Sequence, residues 1–267
     1  MEKNSFYSRL IPSAGWNSIW YSTSQKCLDK AVWAHVNPDK KWCYLTLPKC
    51  GCSTLFNVLN QRGFIHRGMF DREWLIDHNY TFFTVMRNPY TRVVSRYREL
   101  SKEINHLVTK YHRWKKIKHI LSVSQQYGEN PSARHYNIRQ MCIMKNCNDL
   151  ECFKNYTFDD HLKLIQSYMD LHWYPQIDIL TNVYGIQLDN IKISMISDIE
   201  SHTNNILTSC GLDSIKFQKR ENSTFSGNPL AKYMGYYNDT QKKLVSLLYA
   251  KDIEYIKQSF PGFIFTC

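Results

Sequence analysis

A buried strand that turns directly into a helix constrains this chain more than any other feature. The run Cys43 to Leu47 is apolar, carries aromatic and β-branched residues and ends at a proline, which is typical of a strand in a parallel sheet. Apolar residues then recur at helical spacing up to Gly63, which predicts an amphipathic helix beginning at Ser53 or Thr54. The turn contains Gly51, which lets the backbone approach a ligand. Because the first amides of a helix lack intrahelical acceptors, the pattern indicates a nest for a phosphate or sulfate group.

The lysine of this turn stands at an unusual place. Lys49 precedes Gly51, whereas in the Walker pattern the lysine follows the last glycine and directly precedes Ser or Thr. Lys49 adds a positive charge to the nest, and Ser53 and Thr54 add hydroxyl donors. An ordinary strand-turn-helix corner with a surface lysine has the same pattern, so the loop alone leaves both interpretations open.

A second strand-turn-helix unit favours the anion-binding interpretation. Phe82 to Met86 is typical of a buried strand, and Asn88-Pro89 ends it before a new helix. Arg87 lies at the carboxyl end of that strand, and Ser95 follows in the first turns of the helix. A guanidinium and a hydroxyl at such a place suit one phosphate group, although a helix with a basic, solvated face has similar spacing.

The two motifs, PKCGCST (residues 48–54) and VMRNPYTRVVSRYREL (residues 85–100), resemble the signature loops of one enzyme family. This family is the sulfotransferases that use 3′-phosphoadenosine 5′-phosphosulfate (PAPS), and the resemblance is strongest to the carbohydrate branch found in the Golgi. In that family the first loop holds the 5′-phosphosulfate, and the second, of pattern RxPxxRxxSxY, holds the 3′-phosphate. The resemblance therefore implies two sets of cofactor-binding residues: Lys49, Gly51, Cys52, Ser53 and Thr54 for the 5′ end, and Arg87 and Ser95 for the 3′-phosphate.

Two departures from the family pattern leave these assignments intact. Asn88 stands where the family usually has Asp, and the first loop has a second cysteine. Neither change removes a charge donor to the ligand. Lys219 and Arg220 lie in a polar, basic loop at a place where the family commonly folds a loop over the nucleotide, so they are added as cofactor-binding candidates.

Two histidines are candidates for the general base that would take the proton from an acceptor hydroxyl. His66 lies ahead of the second motif at about the spacing of a histidine in the related uronyl 2-O-sulfotransferases. His172 lies in DLHWYPQ (residues 170–176), which resembles an HW-P element of the carbohydrate sulfotransferases. A structural role stays open for either histidine. Lys49 is expected to stabilise charge on the leaving phosphate.

The order of elements predicts a single α/β domain over residues 1–267. Ile191 to Ile196 predicts a further strand, and residues 238–260 are expected to form one long closing helix. Both phosphate-binding motifs fall at strand carboxyl ends, which favours a central parallel sheet. The resemblance implies the three-layer, P-loop-like sulfotransferase fold. Residues 1–41 show no clear period and are expected to wrap the sheet.

Composition restricts the class of partner. The formal net charge of +11 favours anionic ligands such as a bisphosphate nucleotide or an acidic glycan. The nine cysteines show no usual zinc spacing, which predicts free, buried thiols; neither a metal nor nucleic acid is expected. The N-terminus has no apolar segment long enough for a signal peptide or membrane anchor, so the chain as written is expected to be cytoplasmic. A Golgi-lumenal domain separated from its anchor would look the same.

The residues and the resemblance together imply a function. They imply in-line transfer of a sulfuryl group from PAPS to an acceptor hydroxyl, with a carbohydrate as the favoured acceptor and a histidine as general base. Tyrosyl and small-molecule acceptors stay open. A P-loop kinase is disfavoured by the position of Lys49 and by the lack of a Walker B acidic strand end. A non-catalytic module that binds polyanions is compatible with the net charge alone.

Overall fold

A mixed β-sheet lies at the centre of the fold. The structure is a computed structural model that describes residues 10–11, 31–64, 66–110, 155–167, 170–217, 229–263 and 265. The strands are β1 (Leu10–Ile11), β2 (Ala31–Asn37), β3 (Trp42–Leu45), β4 (His66–Asp71), β5 (Thr81–Met86) and β6 (Ile191–Met195). They form a six-stranded sheet in the order β1-β4-β2-β3-β5-β6.

Helices connect and cover the strands. In chain order they are α1 (Cys52–Asn60), α2 (Arg72–Asp77), α3 (Pro89–Lys110), α4 (Phe158–Ser167), α5 (Gln176–Asp178), α6 (Ile199–Ser209), α7 (Pro229–Met234), α8 (Asp239–Leu248) and α9 (Ala250–Ser259). α5 continues as a π-helical turn over Ile179–Val183, and 3₁₀ turns occupy Leu188–Asn190 and Ile196–Asp198. None of the helices that the structure describes is both long enough and apolar enough to span a membrane.

The parallel part of the sheet positions the two motifs that are predicted to bind phosphate. β3 pairs with β5 in parallel, and β5 pairs with β6 in parallel. β3 leads into α1, β5 into α3 and β6 into α6. The carboxyl ends of β3 and β5 therefore lie side by side at one end of the sheet. This arrangement confirms the α/β class and the three predicted strands, whereas the three-layer arrangement and the extent of the domain stay predictions.

The other part of the sheet is antiparallel, which corrects the expected parallel sheet. β2 pairs with both β3 and β4 in antiparallel register, and β1 pairs with β4 in the same way. β2 comes from the segment that we expected to wrap the sheet, yet all seven of its residues are buried. Its sequence, AVWAHVN, is covered on both faces, so it lacks the polar alternation that identifies a half-exposed strand.

Two clusters of buried apolar side chains hold the helices in place. The larger one joins the sheet to α1, for example through Leu45, Phe83 and Leu55. The second lies among α3, α4, α7, α8 and α9 and includes Val93 and Leu162. Each fully buried Leu, Val or Phe side chain contributes about 1.5–3 kcal/mol to folding. The first turns of α3, which follow β5, are thereby anchored through Tyr90, Val93 and Val94.

The closing segment differs from the single helix that we expected. α8 ends at Leu248 and α9 begins at Ala250, because Tyr249 has φ −114 and ψ 27, outside the helical region. The Tyr249 hydroxyl donates to the carbonyl oxygen of Trp173, so a distant partner holds the break. The predicted start at Asn238 is confirmed by a reciprocal capping box with Gln241.

Candidate active site

The loop between β3 and α1 has the backbone geometry of an anion nest. Gly51 is the N-cap of α1 with φ +83, and a Cβ there would meet Ile199 Cδ1 at 3.0 Å, so the position requires glycine on conformational and steric grounds. The first intrahelical hydrogen bond runs from Leu55 N to Gly51 O at 3.0 Å. The N–H groups that precede Leu55 in the helix have no intrahelical acceptor. They belong to three of the predicted phosphate-binding residues, Cys52, Ser53 and Thr54.

The two cysteines of this loop make hydrogen bonds within the protein. Cys50 is buried, and its thiol donates to Gln176 Oε1 at 3.0 Å. Burial raises the pKa of Cys50 to about 12, so the thiol stays protonated and can donate. The Cys52 thiol donates to Leu47 O at 2.9 Å, which directs its side chain back toward the strand. The four described cysteines, Cys43, Cys50, Cys52 and Cys210, form no disulfide with one another.

Lys49 is paired with a carboxylate that the sequence analysis did not identify. Lys49 Nζ lies 2.9 Å from Glu99 Oε1, and Arg96 Nη1 lies 2.6 Å from Glu99 Oε2. Burial alone would raise the pKa of Glu99, but Arg96 and Lys49 outweigh it and hold the pKa at about 2. Glu99 is therefore ionised at neutral pH and holds the ammonium group of Lys49 against α3.

Arg87 joins the second motif to the first. Its Nη1 donates to Lys49 O at 3.1 Å, and its Nε donates to Thr91 Oγ1 at 3.0 Å. The guanidinium carbon lies 5.1 Å from the centre of the Tyr233 ring. Nη2 donates to none of the described residues, which leaves one nitrogen of the fork for a ligand. Ser95 follows on α3 and is 7% exposed.

Arg92 tethers the first loop to the segment 170–176. Its three nitrogens donate to the carbonyl oxygens of Pro48 (3.0 Å), Leu171 (2.7 Å) and Tyr174 (2.6 Å). Arg92 is fully buried and Arg96 is 2% exposed, so a solvated basic face is the wrong interpretation for both. The pattern RxPxxRxxSxY includes Arg92, and this signal could have identified it as a site residue.

His172 forms an Asp–His pair beside this group. Its Nδ1 lies 2.6 Å from Asp170 Oδ1, which also accepts from His172 N at 2.7 Å. Burial alone would raise the pKa of Asp170, but His172 and Arg96 lower it well below its usual range. Asp170 is therefore an ionised acceptor to which Nδ1 of His172 donates, so the lone pair that a general base needs would be on Nε2. Arg92 donates to Leu171 O and Tyr174 O, on either side of His172, and to Pro48 O, which is next to Lys49; these bonds tie the segment of His172 to the first loop.

The main chain of His66 lies away from this cluster. His66 begins β4 and pairs with Val36 of β2, which pairs with Cys43 of β3. The chain from Cys43 to Leu47 covers about 13 Å when extended, and Lys49 lies beyond it. The main chain of His66 therefore lies toward the opposite end of the sheet, with β2 between its strand and β3.

Two of the predicted site residues cannot be placed in this description. Lys219 and Arg220 lie outside the described residues. Within the described part of the chain, the structure shows no group of three or more His, Cys, Asp or Glu side chains that could hold a metal ion.

Comparison with known proteins agrees with this geometry. The family model described as "Sulfotransferase family" matches residues 34–260, a range that includes both loops and the segment 170–176. A search of the curated proteins and a search of the solved structures each found no significant match. Since the matched range covers most of the sequence, the chain belongs to the sulfotransferase family, whose members transfer sulfuryl groups.

Proposed function

We propose that this chain transfers a sulfuryl group from PAPS to a hydroxyl group of a carbohydrate. The proposal rests on one contact, the hydrogen bond from Arg87 Nη1 to the carbonyl oxygen of Lys49 at 3.1 Å. It joins two positively charged loops at the carboxyl ends of adjacent parallel strands. Two such loops in contact suit one ligand with an anionic group at each end.

The side chains of the two loops fit the two ends of PAPS. The first turn of α1, Lys49 and the hydroxyl groups of Ser53 and Thr54 would bind the 5′ end, since Ser53 is exposed and Thr54 partly exposed. When bound, PAPS supplies the sulfuryl group and carries a 3′-phosphate that ATP lacks. Nη2 of Arg87 and the hydroxyl of Ser95 would bind that phosphate. The family resemblance adds backbone contacts from Gly51 and Cys52 and, more distantly, contacts from Lys219 and Arg220.

His172 is the general base in this proposal. Asp170 fixes the ring through Nδ1, so Nε2 can accept the proton of the acceptor hydroxyl. The hydrogen bonds of Arg92 to Pro48, Leu171 and Tyr174, which tie the segment of His172 to the first loop, support the assignment. His66 has no role in the proposal because its main chain lies toward the other end of the sheet. Lys49 would stabilise the charge that develops on the leaving phosphate.

The acceptor class rests on the family resemblance and on charge. The two motifs resemble the carbohydrate branch, and the net charge of +11 suits an acidic glycan. A panel of desulfated glycans, tyrosine peptides and small phenols, each offered with PAPS, would identify the acceptor. We expect sulfate incorporation into glycans; incorporation into peptides or phenols alone would contradict a carbohydrate acceptor.

Calorimetric titration tests the donor without knowledge of the acceptor. The ligands are 3′-phosphoadenosine 5′-phosphate (PAP), which is the desulfated product, and ATP with magnesium. We expect PAP to bind with little affinity for ATP. A preference for ATP would instead indicate a kinase. Binding of neither nucleotide, together with salt-sensitive binding of nucleic acid, would indicate a polyanion-binding module.

A further inference from the structure

One buried amide side chain connects the two phosphate loops. Gln176 is fully buried at the start of α5. Its Oε1 accepts from Arg87 N at 2.8 Å and from the Cys50 thiol at 3.0 Å, and its Nε2 donates to Arg87 O at 2.8 Å. Both main-chain polar groups of Arg87 are therefore fixed by one side chain, which also bonds to the first loop.

Asp252 on α9 holds that amide in place. Its Oδ2 accepts from Gln176 N at 2.9 Å and from Gln176 Nε2 at 3.0 Å, and its Oδ1 accepts from Ile177 N at 2.8 Å. Burial raises the pKa of Asp252, and these N–H donors oppose the rise. Because all three partners are donors, both carboxylate oxygens are needed as acceptors.

We propose that Gln176 is a positioning residue for recognition of the 3′-phosphate, and that Asp252 acts through it. This inference rests on the proposed function, in which Arg87 binds that phosphate. β5 ends at Met86, so the main chain of Arg87 lies just beyond the described strand. The two hydrogen bonds from Gln176 set where the Arg87 side chain begins and how far it lies from the first loop.

This role requires an amide rather than another polar group. Arg87 N can only donate and Arg87 O can only accept, so the partner must present an acceptor and a donor side by side. Glutamate at position 176 would lose the donor and place a second carboxylate against Asp252. Asparagine at position 252 would present an NH₂ group to an N–H donor. Either change leaves the fold's apolar contacts in place while it disturbs the position of Arg87.

The test compares PAP with adenosine 5′-phosphate, two ligands that differ only in the 3′-phosphate. We expect Gln176→Glu and Asp252→Asn each to weaken PAP binding at least tenfold and to change binding of adenosine 5′-phosphate less than twofold, as measured by calorimetry. Partial unfolding of a variant would reduce binding of both ligands by the same factor. A change in the ratio of the two affinities therefore reports the position of Arg87 and not the stability of the fold. Asp252→Asn carries the test alone if Gln176→Glu does not fold.

A double-mutant cycle connects the effect to Arg87. In the Arg87→Ala background, Asp252→Asn should leave the ratio of the affinities for PAP and adenosine 5′-phosphate unchanged, because the guanidinium that Asp252 helps to position is absent. Glu254→Gln is the matched control: it removes an exposed carboxylate from the same helix, one that accepts only from Gln258 Nε2 at 3.2 Å among the described residues. This control should keep the wild-type ratio.

Two outcomes would overturn the inference, and they are distinguishable. If the wild-type chain prefers PAP and this preference survives both Gln176→Glu and Asp252→Asn, the positioning role is wrong while the proposed function stands. If the wild-type chain binds PAP and adenosine 5′-phosphate equally, the proposed function fails and the inference fails with it.

Discussion

Glu99 forms an ion pair with Lys49, the cation that would contact the 5′ end of the donor. It lies 2.9 Å from Lys49 Nζ and is ionised because its pKa is held at about 2. An anionic ligand at the first loop must therefore compete with this carboxylate for the ammonium group. Glu99 also accepts from Arg96, so the competition does not leave the carboxylate without a partner.

Glu99→Gln should tighten PAP binding. The change removes a negative charge next to the anion site, and partly exposed ion pairs of this kind are worth ~0.2–1 kcal/mol, or about a 1.5- to 5-fold change in affinity. Calorimetry at low salt measures it. Glu103→Gln is the control, since it removes a carboxylate that lies 3.7 Å from the same Arg96. Weaker PAP binding by Glu99→Gln would indicate that Glu99 orients Lys49 for the ligand.

His172→Ala should lower turnover without weakening donor binding. Removal of a general base typically costs ~10²–10⁴-fold in rate, whereas the 3′-phosphate contacts belong to Arg87 and Ser95. Steady-state kinetics with PAPS and an active acceptor, alongside PAP titration, separates the two effects. His66→Ala is the matched comparison and should retain near-normal turnover. Near-normal turnover of His172→Ala with a large loss in His66→Ala would identify His66 as the base and contradict our assignment.

At the scale of elements, the loop between β3 and α1 stores conformational strain. Lys49 has φ +68, a left-handed conformation that costs a residue with a Cβ about 1–2 kcal/mol. Gly51, two residues on, has φ +83 and accommodates it without that cost. The lysine therefore occupies a position at which glycine would be more favourable for folding.

Lys49→Gly should be more stable than Lys49→Ala by about 1 kcal/mol. Both variants lack the ammonium group and its pairing with Glu99, so they differ in backbone preference alone. Urea denaturation measures the difference. Both variants should lose sulfuryl transfer, because neither can stabilise charge on the leaving phosphate. Equal stability of the two variants would show that the loop relaxes when the lysine is removed.

The elements that the sequence predicted well are those with local signals. β3 with α1, and β5 with α3, combine an apolar run, a glycine or proline and a helical period within a few residues, so Lys49 and Arg87 could be placed at the same end of the sheet. β2 has no such signal, because both of its faces are buried. The break falls at Tyr249, whose hydroxyl donates to Trp173, a contact that no local pattern encodes.

The residues that the sequence did not indicate as site candidates have the same explanation. Glu99 lies in a run of charges that a solvated helix would also show, and only its distance to Lys49 distinguishes it. Asp252 and Gln176 are 76 residues apart in sequence, so their pairing requires the assembled fold. His66 was chosen by its spacing from the second motif, and spacing does not reveal that β4 is two strands away from β3.

At the scale of the whole molecule, a buried histidine links stability to pH. His161 on α4 is fully buried, and its Nδ1 lies 2.8 Å from the Tyr156 hydroxyl. Burial, followed by the charge of Arg96, lowers its pKa to about 3. Between pH 3 and about pH 6.5 the unfolded chain therefore binds a proton that the folded chain does not bind. Stability falls as the pH falls through this range.

His161→Gln should flatten that dependence. A single histidine of this kind contributes up to about 1.4 kcal/mol per pH unit below its unfolded pKa, or roughly 2 kcal/mol between pH 7 and pH 5. Glutamine keeps a polar partner for Tyr156 but does not titrate. Urea denaturation of both proteins at pH 7 and pH 5 measures the difference. An unchanged loss in the variant would mean that other groups cause the pH dependence.

The contact between Gln176 and Asp252 also bears on how the enzyme becomes active during its synthesis. Both phosphate loops lie in the first 100 residues, and more than half of the chain separates Arg87 from Asp252. At ~5–20 residues per second, a growing chain carries both loops on the order of ten seconds before the carboxylate is made. If Asp252 is required to align Arg87, a nascent chain has its cationic loops before it can distinguish PAPS from other adenine nucleotides. Selectivity for the donor is then one of the last properties that the chain acquires.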